Sequence, residues 1–228
     1  MNANKKAAAL ALINKIKGPK INRELAEGAN SLVFLTANTP PKVLKITSGN
    51  ATREIGALRK LVAAGANFVP RPNFVNIRKN NLKKTLFPNN NEENVTVYTM
   101  NKVGNVSLWS HRPPNNNNRR RIRAEILRVI KFMHAHGISH GDLHADNILV
   151  ELTADGRMKK LWVIDFGRYV NIPVGQGEKN AYEKFQKGGV YRNVPVLNMR
   201  APDPAVQMWM GPGGRARQNM NMYEQTYR

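Results

Sequence analysis

Apolar positions along this chain recur with two different periods. Four short runs, INRELAEG, SLVFLT, KVLKIT and VTVYTM, are rich in β-branched residues and bounded by Gly, Asn or Pro, which predicts strands. SLVFLT and KVLKIT are joined by ANTPP, so they are expected to form a hairpin. NATREIGALRKLVAAG places Ile55, Leu58, Leu61 and Val62 at helical spacing and ends at Gly65, the pattern of an amphipathic helix. Residues 1–18 also read as a helix, stopped by Gly18-Pro19. Residues 79–94 are polar and Asn-rich, and predict an exposed loop.

A composition shift comes at HRPPNNNNRRR. Beyond it Ile122, Ile126, Val129, Ile130 and Met133 form one apolar stripe on a helix ending near Gly137, with arginines filling much of the rest. A strand ILVEL, a turn around Asp155-Gly156 and a strand KKLWVID follow. After Gly167 periodicity fades, and the basic Met/Gly/Pro-rich tail 201–228 reads as extended chain ordered by a partner. A strand-rich half with one helix, then a helix and a hairpin, gives an α+β class.

Composition narrows the setting more than the chemistry. A mean hydropathy of −0.50 and the lack of a long apolar run argue against a membrane span. The N-terminal MNANKKAAALALINKIK is too weakly apolar for a signal-peptide core. With no cysteine there is no disulfide, thiolate metal site or thiol nucleophile, which suits an intracellular, reducing compartment. Lys and Arg number 36 against 15 Asp and Glu, a formal net charge of +21. Such a surface attracts nucleic acid, acidic proteins or anionic lipid, although no base-reading motif accompanies it.

The densest chemistry is HGISHGDLHADNILV, residues 136–150. Zinc is a poor fit: His134 and His136 point to different faces of a helix, and no HExxH spacing is present. Taken singly, Asp142 could cap a turn, Asn147 could satisfy loop backbone and Asp165 could end a strand. Lys45 and Glu54 could form a surface ion pair of little worth. As a set they point to phosphate or proton-transfer chemistry: Asp142, Asn147 five residues on, Asp165-Phe166-Gly167 after a hairpin, Lys45 in a strand and Glu54 opening a helix.

This constellation resembles the protein-kinase-like superfamily, in its minimal or atypical forms such as Rio-like or large-DNA-virus kinases. His140-Gly141-Asp142-Leu143-His144-Ala145-Asp146-Asn147 matches a catalytic loop HxDLxxxxN, and DFG is intact. VLK resembles the strand-three lysine motif, EIGALRKL the regulatory helix, and YTMNKVGNVSL the hinge between lobes. The resemblance covers roughly residues 20–170. It implies a bilobal fold with a small β-rich lobe over 19–101 and a truncated helical lobe over 102–200, preceded by a basic helix over 1–18.

The implied chemistry is ATP-dependent phosphoryl transfer to Ser or Thr of a protein, where catalysis is positioning and charge neutralisation. Lys45 would contact the α- and β-phosphates, held by Glu54. Asn147 and Asp165 would hold Mg²⁺. Asp142 would orient the attacking hydroxyl, and His140 would pack and hydrogen-bond rather than act as acid or base. Gly28, Met100, Lys102 and His144 would contact the nucleotide.

Several positions depart from the family pattern. LAEGANSLVF keeps Gly28 where GxGxxG has three glycines, and Gly141 replaces the arginine of HRD, which implies no phosphorylated activation segment. His144 replaces the usual Lys or Arg, giving the HGDLHxxN form of Rio-like, ABC1-like and aminoglycoside-phosphotransferase-like families. A competing expectation is a kinase-like structural or interaction protein of a virion or nucleoprotein assembly, suited by the charge and by the Arg cluster at 119–123.

Overall fold

The computed structural model describes residues 3–172, apart from 29, 80–82, 89–91, 93, 112 and 144. His144 and the tail 201–228 therefore lie outside the described residues. The chain divides into two compact units, Met1–Arg59 with Pro70–Lys102, and Lys60–Val69 with Val103 onward.

The first unit is built on a five-stranded antiparallel sheet ordered β1-β2-β3-β5-β4. Its strands are β1 (Ile21–Glu27), β2 (Ser31–Thr36), β3 (Lys42–Ser48), β4 (Pro72–Lys79) and β5 (Asn94–Asn101). The helices are α1 (Ala3–Lys15), the part of α2 (Thr52–Ala63) up to Arg59, the rest of α2 falling in the second unit, and the one-turn α3 (Lys83–Leu86). Side chains alternate across a strand, and both faces of this sheet are used. Leu44 and Ile46 of β3 and Val95 and Val97 of β5 join a core with Ala9, Leu12 and Ile13 of α1. Val43, Tyr98 and Met100 on the other face pack with Ala51 and Ile55 at the start of α2.

Two features here depart from the expected pattern. β4 is a strand although PNFVNIRK carries no clean alternation. It is an edge strand with Phe74 and Ile77 exposed, so its sequence lacks the buried face that marks an interior strand. The polar segment 79–94 does not lie wholly on the surface: Leu86 and Phe87 are 0% and 1% exposed and complete the core under α1. Two apolar residues among many asparagines are enough to anchor a loop, and too few to show a period.

The second unit contains α4 (Asn116–Ala135), whose stripe Ile122, Ile126, Val129, Ile130 and Met133 is buried as expected. Asn115 caps it, its side chain accepting from the Asn118 N–H at 2.9 Å. A three-stranded antiparallel sheet runs β6-β8-β9, with β6 at Val106–Ser107, β8 at Ile148–Leu152 and β9 at Met158–Val163. A two-stranded ladder pairs β7 (Ile138–Ser139) with β10 (Val170–Asn171). Strands of two residues carry no periodic signal, so β6, β7 and β10 were beyond the reach of pattern.

Candidate active site

In the first unit, β3 and α2 bring Lys45 and Glu54 together. Lys45 shares a face of β3 with Val43, and its Nζ donates to both carboxylate oxygens of Glu54, at 3.0 and 3.2 Å. Both residues are buried, at 6% and 5% exposure. A spacing of nine residues suffices because β5 pins the connection. Thr96, fully buried, donates its hydroxyl to the Gly49 carbonyl at 2.7 Å and accepts from the Ala51 N–H at 3.0 Å. Asn50, just outside α2, accepts from the Thr52 N–H at 2.9 Å, and Glu54 stands in the first turn of the helix. Nothing in VTVYTM marked Thr96 for this task, since its partners exist only in the fold.

The remaining candidates of this unit are spread out. Met100 is buried opposite Val43 in the β3–β5 register, whereas Lys102 is exposed just beyond the end of β5. Gly28 sits in the β1–β2 turn, its N–H donating to the Ser31 carbonyl at 2.8 Å. Its φ lies outside the left-handed region, and a Cβ there would approach only Ser31, so this turn does not require glycine.

In the second unit, His140 ties the catalytic-loop sequence to the DFG segment. Its Nδ1 accepts from the Asp142 N–H at 3.3 Å, which places the ring proton on Nε2, and Nε2–H donates to the Ile164 carbonyl at 2.8 Å. The ring also lies 4.6 Å, centroid to centroid, from Phe166. His140 is therefore the packing and hydrogen-bonding residue that the motif implied. Asn147 makes a second link: its Nδ2 donates to the Asp142 carbonyl at 2.9 Å, and its carbonyl accepts from the Ile164 N–H at 3.0 Å.

Asp165 adopts φ 62°, ψ 68°, a left-handed conformation uncommon for a residue with a Cβ. Such backbone persists where its surroundings over-determine it, often at functional sites. The carboxylate of Asp165 and Oδ1 of Asn147 are hard oxygen donors, the chemistry that suits Mg²⁺. The Asp142 carboxylate is 23% exposed, and Arg168 Nε stands 3.7 Å from its Oδ2. Arg168 was not singled out by the sequence. Its neighbourhood with Asp142 is created by the β7–β10 ladder, which folds the chain after DFG back beside the loop.

Gly141 has φ +75°, and a Cβ built on it would lie 2.0 Å from the Arg168 carbonyl oxygen. Only glycine fits this approach, so the missing HRD arginine has a steric cause. His134, half-buried on α4, is held neutral by burial, its pKa pushed down to about 4.

The sequence profile described as the lipopolysaccharide kinase (Kdo/WaaP) family matches residues 43–181, more than half of the chain. The chain belongs to this family. It contains Lys45, Glu54, Asp142, Asn147 and Asp165 within the matched span. Among solved structures, the BubR1 kinase domain is similar with a TM-score of 0.52 at 14% identity, over 75% of this chain and 61% of that one. That likeness shows a kinase fold. The Cydia pomonella granulovirus kinase PK-1 aligns with a TM-score of 0.49 at 15% identity, over 73% of this chain and 57% of that one. The chain thus spans about three-fifths of the length of these two structures. No curated protein matches it by sequence.

Proposed function

We propose that this family member is a working phosphotransferase, moving the γ-phosphoryl group of ATP to a hydroxyl acceptor. The observation that carries the reading is the buried Lys45–Glu54 pair, bonded through both carboxylate oxygens. Burying two charges is costly unless they are paired, and an interior of apolar residues would have served stability as well. A cation fixed in this way suits phosphate.

Lys45 neutralises phosphate charge and Glu54 holds it in place. Asp142, its backbone N–H held by His140, orients the attacking hydroxyl. Asn147 and Asp165 hold Mg²⁺, which when bound neutralises charge on the phosphates. The Gly28 turn, Met100, Lys102 and His144 make up the remaining nucleotide contacts of this reading.

For the acceptor we favour Ser or Thr of an acidic protein, because the +21 net charge attracts such a partner. A virion or other intracellular assembly would be a suitable setting. A saccharide hydroxyl is the second reading, favoured by the family match. The test is γ-labelled ATP with Mg²⁺, offered in parallel to an acidic protein and to lipopolysaccharide. Label on protein Ser or Thr, lost in Asp142→Asn and Asp165→Asn, is the expected result; label on the saccharide alone would install the second reading. No label on either, with no thermal shift by Mg-ATP, would end both.

A further inference from the structure

Two concave surfaces of the second unit share Arg121. One, of about 290 Å³, is lined by Asn115, Asn117, Asn118, Arg121 and Arg157 at the N-terminal end of α4. The other, of about 520 Å³, lies along α4 and β9 and is lined by Arg121, Arg128, Lys159 and Lys160, among others. Among the described residues Glu125 is the one carboxylate lining either surface, and it is engaged by Arg128 at 2.6 and 2.8 Å. Arg157 and Lys159 also touch Asp155 and Glu151, at 2.8 and 2.7 Å, while Lys160 lies 3.9 Å over the Trp162 ring. Arg121 and Arg128 are seven residues apart, roughly 10 Å along the helix axis. The cations thus follow a line and do not converge on a point.

The first turn of α4 asks for an anionic oxygen. It has no acidic residue, although a helix N-terminus favours negative charge. Asn118 lines the smaller surface and is 5% exposed. Its Oδ1 accepts from the Met158 N–H at 3.3 Å, yet its Nδ2 has no partner, and neither has the adjacent Arg119 Nε. A buried donor left without an acceptor costs more than the bond itself returns, so the Asn118 amide, which lines this surface, is a group that a bound anion would satisfy.

We propose that this face of α4 and β9 is a binding track for the phosphodiester backbone of single-stranded nucleic acid, with one phosphate seated at the Asn118 end. Charge complementarity selects a polyanion, and the line of cations selects a chain over a single ion. A lipid surface fits less well. The exposed large apolar residues Leu25, Phe74 and Ile77 all belong to the first unit, so among the described residues this face offers nothing to insert. Among the described residues the lining carries no aromatic side chain, so the track is expected to meet the backbone and to bind without regard to sequence. The proposal does not depend on phosphoryl transfer.

The test uses the full chain and a fluorescein-labelled oligouridylate, titrated by anisotropy at several salt concentrations. The variant Arg121→Glu/Lys160→Glu should weaken binding by at least ~10-fold and flatten the salt dependence, because phosphate contacts release counterions. Lys20→Glu/Arg23→Glu makes the same charge change on the first unit and should cost less than ~3-fold by the same electrostatics. Asn118→Asp keeps the oxygen that Met158 needs and removes the orphan donor. It should weaken binding while leaving the melting temperature unchanged or higher, an outcome that a purely structural role would not produce. Asp142→Asn should bind as the parent does. Equal losses in the two double variants, or binding to anionic vesicles or polyglutamate without binding to the oligonucleotide, would overturn the proposal.

Discussion

Lys45 on β3 donates to both carboxylate oxygens of Glu54 on α2, and the two residues are each more than nine-tenths buried. Removing either partner breaks a buried ion pair and leaves the remaining charge less well compensated. Lys45→Met should therefore destabilise the protein by about 3–5 kcal/mol, and Glu54→Leu by a similar amount. The double variant should lose less than the sum of the single losses, because it removes both charges of the pair together. Urea denaturation of the four proteins measures this directly. A double variant at the sum of the single losses would mean that the pair is not coupled.

His140 is the hinge pin of the second unit's loop region. His140→Ala removes the acceptor for the Asp142 N–H and the donor to the Ile164 carbonyl, and opens a void beside Phe166. The expected loss is about 2–4 kcal/mol. Hydrogen exchange should show the Asp142 amide losing protection ahead of amides in α4. Unchanged protection at Asp142 would argue against the link.

Gly141 and Gly156 share φ +75°, yet they stand in different surroundings. A Cβ at Gly156 meets nothing within 4 Å, so Gly156→Ala should cost only the left-handed strain of about 1 kcal/mol. At Gly141 the Arg168 carbonyl stands at 2.0 Å, so Gly141→Ala should cost clearly more, upwards of about 2 kcal/mol, and lower phosphoryl transfer as well. Gly141→Arg, with a far larger side chain at the same approach, should be worse still. Thermal melting of the variants ranks them.

His134 gives the fold a pH dependence. Its folded-state pKa is about 4 against an ordinary 6.5, depressed by burial. As pH falls, the unfolded chain takes up the proton first. The contribution is thus full above about pH 6.5 and is lost progressively toward pH 4, amounting to about 2 kcal/mol for a half-buried ring. His134→Gln should flatten the melting temperature across that window. An unchanged slope would place the titration elsewhere.

Much of the architecture was legible because it rests on local pattern. The strands 21–27, 31–36, 42–48 and 94–101 are short runs set between Gly, Asn or Pro, while the helix with Ile55, Leu58 and Leu61 and the arginine-rich helix at 116–135 repeat their apolar residues often enough to show a period. The residues of the candidate site were legible for another reason. DFG, HxDLxxxxN and the strand lysine are fixed by chemistry at fixed spacing, whatever the packing around them. Edge strand β4 and the anchors Leu86 and Phe87 escaped because neither has a periodic buried face of its own.

What the sequence determined alone, then, is the set of charged and polar groups and the elements that carry them, since both are written in short-range pattern. The tertiary structure decided what those groups meet. It decided that Thr96 fixes the start of α2 so that Glu54 reaches Lys45, and that His140 spans from Asp142 to Ile164. It also set Arg168 against Gly141 and left the Asn118 amide without an acceptor. Each of these is a contact between residues far apart in the chain or brought near by a ladder, and its energy depends on burial and distance, which no local pattern encodes.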